Sequence, residues 1–346
     1  MINFSNHGGH SVIDNHTVPY SSLKPQDFGT NWLYPDKCPD CPARRWCYAI
    51  SPAPETQAEK VEQLKTIFSC YLLTYEKAEI EPLLLCHAPL PTAFEQFFAD
   101  RYGKPFQDCR LVMPQNDFPV FLEAATSIQP AHLVGVEFDQ LPARFVDSTP
   151  TLQWVAKNYP TIIRVMSVHY PEIGGEILRL GRQDGELERT LDVYRQLGPE
   201  AFWIAVWEAT LSSLTSEVDI LGHAFAWQKH LDACPDTDAT QKIIQAVAQK
   251  MAQLGIIADL NASGMKKGKH RDNPYFPARW IPVFQQAGVG FTAGDDSHNQ
   301  RQIGRGFDDL LQFCLRNGIT ELVQTSGQRN SSGRLEWQPV KLTGDE

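Results

Sequence analysis

Four short apolar runs in this chain end on residues able to bind a divalent metal. Leu83-Leu84-Leu85-Cys86 runs into His87, Leu133 to Val136 into Glu137, Ile162 to Val168 into His169, and Val218 to Gly222 into His223. A fifth run, Val289 to Gly294, leads into Asp295-Asp296-Ser297-His298, and a loop near the N-terminus carries His7, His10 and His16. Imidazole and carboxylate together suit borderline divalent ions such as zinc, manganese or iron, and a carboxylate can bridge two ions where an imidazole cannot. Glu137, Asp296 and the six histidines His10, His16, His87, His169, His223 and His298 are too many ligands for one tetrahedral ion, so two or three metals are expected. Paired ions clamp a phosphoryl group, hold a hydroxide for in-line attack and stabilise the leaving oxygen, which makes metal-assisted hydrolysis the natural chemistry.

Such ligands must be brought to one place by the elements that precede them. A strand buried on both faces reads as a continuous Val/Ile/Leu run, and in an α/β barrel the reacting groups project from the carboxyl ends of such strands. Between the runs lie segments with helical spacing: Glu55 to Ala78, Thr92 to Tyr102, one opening at Thr149-Pro150-Thr151, Gly185 to Leu197, Pro199 to Ser216, Asp238 to Leu254, Pro277 to Gln286 and Gly306 to Arg316. Ile256 to Asn261 reads as a further strand, and Ile2 to Ser5 as a first one. The alternation predicts an α/β fold with a mainly parallel sheet closed as a barrel. Asn15 to Pro54, rich in Pro, Asp, Cys and Trp, reads as an irregular insertion, and the last twenty or so residues as a loose tail. The expected organisation is one domain over residues 1–325 with an insertion at about 15–54, then a tail over 326–346.

Length and composition bound the partners. The 346 residues can bury a large core, and the formal net charge of -10 opposes the long-range attraction a general nucleic-acid binder needs. The N-terminus lacks the basic flank and apolar stretch of a signal peptide, and no run reaches membrane-spanning length, so a soluble cytoplasmic protein is expected. Eight cysteines are too sparse for a disulfide scaffold, and Cys70, Cys86, Cys109 and Cys314 sit in apolar segments as small buried hydrophobes. There is no Gly-x-Ser-x-Gly elbow, no phosphate-binding Gly-x-x-x-x-Gly-Lys-Ser/Thr loop and no correctly spaced dinucleotide fingerprint.

The ordered set of motifs resembles the PHP (polymerase and histidinol phosphatase) superfamily, and within it the histidinol-phosphatase-like branch. The resemblance is carried by His10-Ser11 with His16, His87-Ala88-Pro89-Leu90-Pro91, Gly135 to Asp139, Ser167 to Tyr170, Asp219 to His223, and Gly294 to His298. Asn261-Ala262-Ser263-Gly264-Met265-Lys266-Lys267-Gly268, with Pro274-Tyr275-Phe276-Pro277 behind it, is similar to a further segment of that branch. The blocks keep a consistent order from residue 4 to about residue 318. The resemblance implies a distorted seven-stranded (β/α) barrel of the PHP type with a trinuclear site at the carboxyl ends of its strands. It implies that Glu137 bridges two ions, that Asp296 and His10 complete the first and His169 and His223 the second, and that His16, His87 and His298 hold the third. Glu137, Asp296 and His298 are the implied catalytic set. The family opens with His-x-His, whereas this register puts Gly8 where the first histidine belongs, with His7 one residue out of step. Either the Gly8-Gly9 pair lets the loop bulge so that His7 reaches the metal, or the first ion has lost a ligand; glycine's conformational freedom favours the bulge.

The chemistry so implied is attack of a metal-bound hydroxide on the phosphorus of a small phosphorylated substrate. Phosphate oxygens also need cationic donors, and Lys266, Lys267, Lys269 and Arg271, with Arg301 and Arg305, cluster near the strand ends in an otherwise acidic chain. Lys267 and Arg301 rank first; a solvated loop is the competing reading of the cluster. Asp139 and Asp295 are placed to accept hydrogen bonds from ligating imidazoles. Cys38, Cys41 and Cys47 offer three ligands of a structural zinc, but no partner pair follows, and free cysteines in an insertion are the simpler reading. His132, His230 and His270 match no position in the set. The leading expectation is a metal-dependent phosphomonoesterase. Its rivals are a hydrolase of the same type acting on a nucleotide or phosphodiester, and a non-catalytic barrel that retains the metals. Oligomeric state is not legible in the sequence.

Overall fold

The computed structural model describes residues 5–6, 56–77, 80–103, 118–145, 149–180, 185–266, 269–296 and 303–342. His7, His10, His16, Lys267, His298 and Arg301, and the three cysteines Cys38, Cys41 and Cys47, lie outside the described residues.

In chain order the elements are β1 (Ser5–Asn6), α1 (Gln57–Lys77), β2 (Glu81–Pro82), β3 (Leu84–His87), α2 (Thr92–Tyr102), α3 (Phe118–Ile128), β4 (Val134–Asp139), α4 (Thr149–Asn158) and β5 (Ile163–Ser167). A small hairpin follows, β6 (Glu172–Ile173) and β7 (Glu176–Ile177), then α5 (Glu186–Leu197), α6 (Pro199–Ser213), β8 (Ile220–Leu221) and α7 (Asp238–Leu254). The chain continues through β9 (Ile257–Asn261), α8 (Ile281–Ala287), β10 (Phe291–Gly294), α9 (Phe307–Arg316), β11 (Glu321–Arg329) and β12 (Leu335–Lys341).

The main sheet runs β2-β1-β10-β9-β8-β5-β4-β3, with every neighbouring pair parallel. Its two ends are halves of one extended segment: only Leu83 separates β2, which pairs with β1, from β3, which pairs with β4. The sheet therefore closes on itself, with β2 and β3 acting as one of seven staves in a distorted (β/α) barrel. Closure requires alternate residues to face inward. Leu83, Leu85, Ile163, Val165, Ile220 and Ile257 form the apolar interior, while Leu84, Cys86, Val134, Val136, Phe138, Met166, Leu221, Ala258 and Leu260 pack outward on the helices. Gly135 takes an inward position where space is short, since a Cβ there would lie 2.7 Å from Leu85 Cδ1.

Helices appear where the spacing placed them: α2 and α7 match to the residue, and α1, α5, α6, α8 and α9 within a few residues. The aromatic residues Phe202, Trp203, Trp207, Phe225 and Trp227 are buried in the core, as helix packing against a barrel requires. Helix α7 starts on a capping box at Thr237 and Thr240 and stops at Gly255 in the left-handed conformation. Cys86 and Cys314 are buried free thiols. No helix among the described residues is long and apolar enough to cross a membrane.

The expected tail is a correction. Residues 321–341 form an antiparallel hairpin of β11 and β12. Asn330 builds its turn, its side-chain oxygen accepting from the Ser332 and Arg334 amides at 3.0 and 3.1 Å, while Gly333 supplies a positive φ. Leu335 joins the apolar interior, with Val323 and Trp337 packed against it, and the Trp337 indole donates to the Gly255 carbonyl at 3.3 Å. The hairpin thus plugs the N-terminal mouth of the barrel, opposite the strand ends that carry the histidines.

Candidate metal centre

Four strand ends deliver their side chains to the C-terminal mouth. His87, Glu137 and Asp139, and His169 continue the inward-facing positions of β3, β4 and β5, and the register sets His87 directly beside Glu137. His223 is out of that phase. Ile220 and Gly222 face inward, so a regular strand would aim residue 223 at the helices. Its φ of 23° turns it back to the centre, and Asp296, beyond β10, is likewise held at φ 49°. Such backbone strain in residues other than glycine is uncommon and collects at functional sites.

Around Glu137, which is fully buried, donor atoms face both carboxylate oxygens. Oε1 lies 3.4 Å from His223 Nε2 and 3.9 Å from His169 Nε2; Oε2 lies 3.3 Å from His87 Nε2. Ser167 donates to Oε1 at 2.5 Å and fixes the carboxylate plane. The glycine before His223 makes room for that hydroxyl, because a Cβ at Gly222 would stand 2.5 Å from Ser167 Oγ. Asp139 works on the far side of the rings. Its oxygens lie 2.7 Å from His169 Nδ1 and 3.7 Å from His87 Nδ1, so one carboxylate addresses both Nδ1 atoms while Glu137 faces both Nε2 atoms. That arrangement selects the tautomer presenting a bare Nε2 to an ion.

Charge follows from this packing. Burial alone would raise the Asp139 carboxyl, but His169 and His87 outweigh it and hold it below the usual range. Burial would lower the His223 imidazole, but the hydrogen bond and charge of Glu137, with Asp296 and Asp259 beyond, raise it above its ordinary value. One donor atom each from Glu137, His169 and His223 lie within 4.8 Å of one another, as do donors from His87, Asp139 and His169. One carboxylate with two imidazoles and no thiol fits zinc, manganese or iron.

Of the remaining expected residues, Asp296 acts electrostatically on His223, and Asp295, buried, accepts from the Gly304 amide at 2.7 Å. Lys266 pairs with Asp309 and Lys269 with Asp232, while Arg271 and Arg305 are exposed. Two residues escaped the reading of the sequence. Asp259, fully buried, is an inward-facing residue of β9 that accepts from the His223 amide at 3.3 Å and from Asn261 at 3.0 Å. A lone acid inside an apolar strand was its available signal. Arg179 follows the β6–β7 hairpin; the next residue, Leu180, donates its amide to the His169 carbonyl at 3.0 Å. The Arg179 guanidinium donates to the Tyr102 hydroxyl at 3.4 Å, and no spacing in the sequence announced it.

No family model and no curated protein matches the chain. Among solved structures it is similar to a histidinol phosphate phosphatase from Lactococcus lactis subsp. lactis, solved with zinc, L-histidinol and phosphate. The two share 14% identity over 77% of this chain and 91% of that one, with a TM-score of 0.48. A chain of an archaeal ribonuclease P solved with mature tRNA shares 16% identity over 54% of this chain and 76% of that one, with a TM-score of 0.25.

Proposed function

We propose that this chain is a metal-dependent phosphomonoesterase, similar in type to the histidinol phosphatases of the PHP superfamily, acting on a small phosphorylated metabolite in the cytoplasm. We take the chain through the β11–β12 hairpin as one barrel domain with an insertion at about 15–54. The observation that carries the reading is the convergence of Glu137, His169 and His223, with His87 on the other oxygen of Glu137, at the C-terminal mouth of a closed barrel. That mouth is where barrel enzymes place their chemistry.

In this reading Glu137, Asp296 and the histidines His7, His10, His16, His87, His169, His223 and His298 would hold the ions. When bound, two or three divalent ions, of zinc, manganese or iron, would lower the pKa of water into the working range and neutralise phosphoryl charge. Asp139 holds the imidazoles in the ligating tautomer, and Ser167 keeps Glu137 from rotating. Cationic contacts to the phosphate fall first to Lys267 and Arg301, then to Arg271 and Arg305, because Lys266 and Lys269 are already paired with carboxylates.

The test is hydrolysis of an aryl phosphate by the full chain, with and without chelator, followed by a panel of phosphomonoesters, nucleotides and phosphodiesters. Chelator-sensitive turnover with preference for a small monoester is expected. Preference for a diester or nucleotide moves the activity within the same superfamily. Full metal content without any turnover overturns the enzyme reading in favour of a metal-retaining barrel.

A further inference from the structure

One buried carboxylate beside the metal centre addresses main chain rather than an imidazole ring. Asp259 lies in the inward phase of β9, two residues after Ile257, and is fully buried. Its Oδ2 accepts from the His223 amide at 3.3 Å and from Asn261 Nδ2 at 3.0 Å.

The strand register shows why a side chain is needed there. β8 pairs with β9 at Ile220 with Ile257 and at Leu221 with Ala258, and the Ile257 amide donates to the Asp219 carbonyl at 3.1 Å. Carried on from Leu221, that evenly spaced parallel pattern would send the His223 amide to the main-chain carbonyl of Asp259. The ladder stops instead. His223 bends away at φ 23°, and its carbonyl accepts from the Ala226 amide at 2.8 Å to close a tight turn. The His223 amide thus leaves the ladder in a buried place, where an N–H without an acceptor is costly. The side chain of the residue whose carbonyl it has left supplies the acceptor. Asn261 keeps that carboxylate in place: its Nδ2 donates to Oδ2, its Oδ1 accepts from the Ser263 amide at 3.0 Å, and its own amide donates to the Pro274 carbonyl at 2.9 Å.

Resting on the metal-centre reading, we propose that Asp259 is a positioning residue that acts through His223: its side chain replaces the lost ladder acceptor and holds the strained backbone in the conformation that turns the imidazole inward. That conformation sets His223 Nε2 3.4 Å from Glu137 Oε1. An apolar residue at 259, which the rest of β9 would suit, leaves the His223 amide and Asn261 Nδ2 without this acceptor and nothing to hold the turn.

The experiment uses the full-length chain as wild type, Asp259→Ala, Asp259→Asn, Asn261→Ala, His223→Ala and the double variant with Asp259→Ala and His223→Ala together. Zinc affinity is measured by competition with a chromogenic chelator at a temperature where the zinc-free proteins are folded, and kcat and KM on an aryl phosphate. Asp259→Ala should bind zinc about 10- to 100-fold more weakly, the effect of losing an outer partner of a metal ligand, and should lower kcat rather than raise KM. Asp259→Asn keeps an oxygen able to accept both hydrogen bonds and should recover most of that affinity. Asn261→Ala leaves the acceptor but frees it, and should weaken zinc binding in the same direction, which keeps the test decisive if Asp259→Ala does not fold. In the double variant the loss should equal that of His223→Ala alone, because residues that act as one unit are not additive. Wild-type zinc affinity in Asp259→Ala, or in Asn261→Ala where Asp259→Ala does not fold, overturns the role. So does an Asp259→Asn variant as weak as Asp259→Ala, or losses that add in the double variant. A wild-type chain that takes up no zinc refutes the metal-centre reading and this role with it, whereas equal zinc affinity in wild type and Asp259→Ala refutes this role alone.

Discussion

At the N-terminal mouth of the barrel, Asp219 is gripped by two guanidinium groups. Arg164 donates to it from its amide, Nε and Nη2 at 2.9, 3.1 and 3.3 Å, and Arg329 from Nη1 and Nη2 at 2.7 and 2.8 Å. Arg329 also reaches the Ile162 carbonyl at 3.0 Å and so ties the C-terminal hairpin to the barrel floor. At the opposite mouth the carboxylates of Glu137 and Asp139 are equally buried, yet the partners around them are imidazoles. A guanidinium is a permanent cation, while an imidazole is charged only when it carries an extra proton and is a ligand only when it does not. The lower mouth has its charge completed by the protein itself. The charge balance of the upper mouth depends instead on the protonation of its imidazoles.

The contrast can be broken first at the floor. Asp219→Ala strands the buried Arg164 guanidinium and removes the carboxylate partner of Arg329, and should lower unfolding stability by about 3–5 kcal/mol, with little change in kcat of the molecules that remain folded; chemical denaturation alongside active-site titration checks both. Next in size, His223→Ala should lower turnover by roughly 10²- to 10³-fold, as expected for loss of a principal electrostatic contribution, while leaving the unfolding free energy of the metal-free protein within about 1 kcal/mol of wild type. Steady-state kinetics and denaturation of the same preparations decide whether the two mouths are as separable as stated.

How much of this was legible in the sequence differs between the mouths for a physical reason. His87, Glu137 and His169 follow apolar strands in inward phase, so local pattern alone located them. His223 was located by the same rule although its phase is wrong, because the correction lies in a backbone angle that no residue type reveals. Asp259 is hidden inside the strand Ile257–Asn261, where one acid among apolar neighbours reads as noise. The floor was the harder half. Asp219 and Arg329 are 110 positions apart, and Ser326-Gly327-Gln328-Arg329-Asn330-Ser331-Ser332-Gly333 has the composition of a tail until its hydrogen bonds turn it into a hairpin. Helix α3, with Pro119 in its first turn and only Glu123, Thr126 and Ser127 polar, was not anticipated.

Finer differences sharpen the contrast further. Asp139→Asn removes the charge that faces His87 and His169 and turns one of its two accepting oxygens into a donor, and should weaken zinc binding by about 10- to 100-fold, with the floor and its stability untouched; chelator competition measures it. The smallest effect expected is one of pH. Because the metal-free protein holds the His223 imidazolium above its ordinary pKa, protons compete with zinc, so zinc affinity should climb by at most about tenfold per pH unit as pH rises through that raised value and level off above it. The same linkage makes the contribution of His223 to metal-free stability present at low pH and lost as pH rises through the raised pKa. Asp219→Ala should shift neither profile.

The central claim is that the buried carboxylate of Glu137 is the middle of a metal centre. Anomalous diffraction at the zinc edge from zinc-loaded crystals of the full chain tests it most directly. The account predicts a peak within bonding distance of Glu137, His169 and His223, and a second ion sharing Glu137. Zinc-loaded crystals with no anomalous density at Glu137, or with density only elsewhere on the barrel, would contradict it.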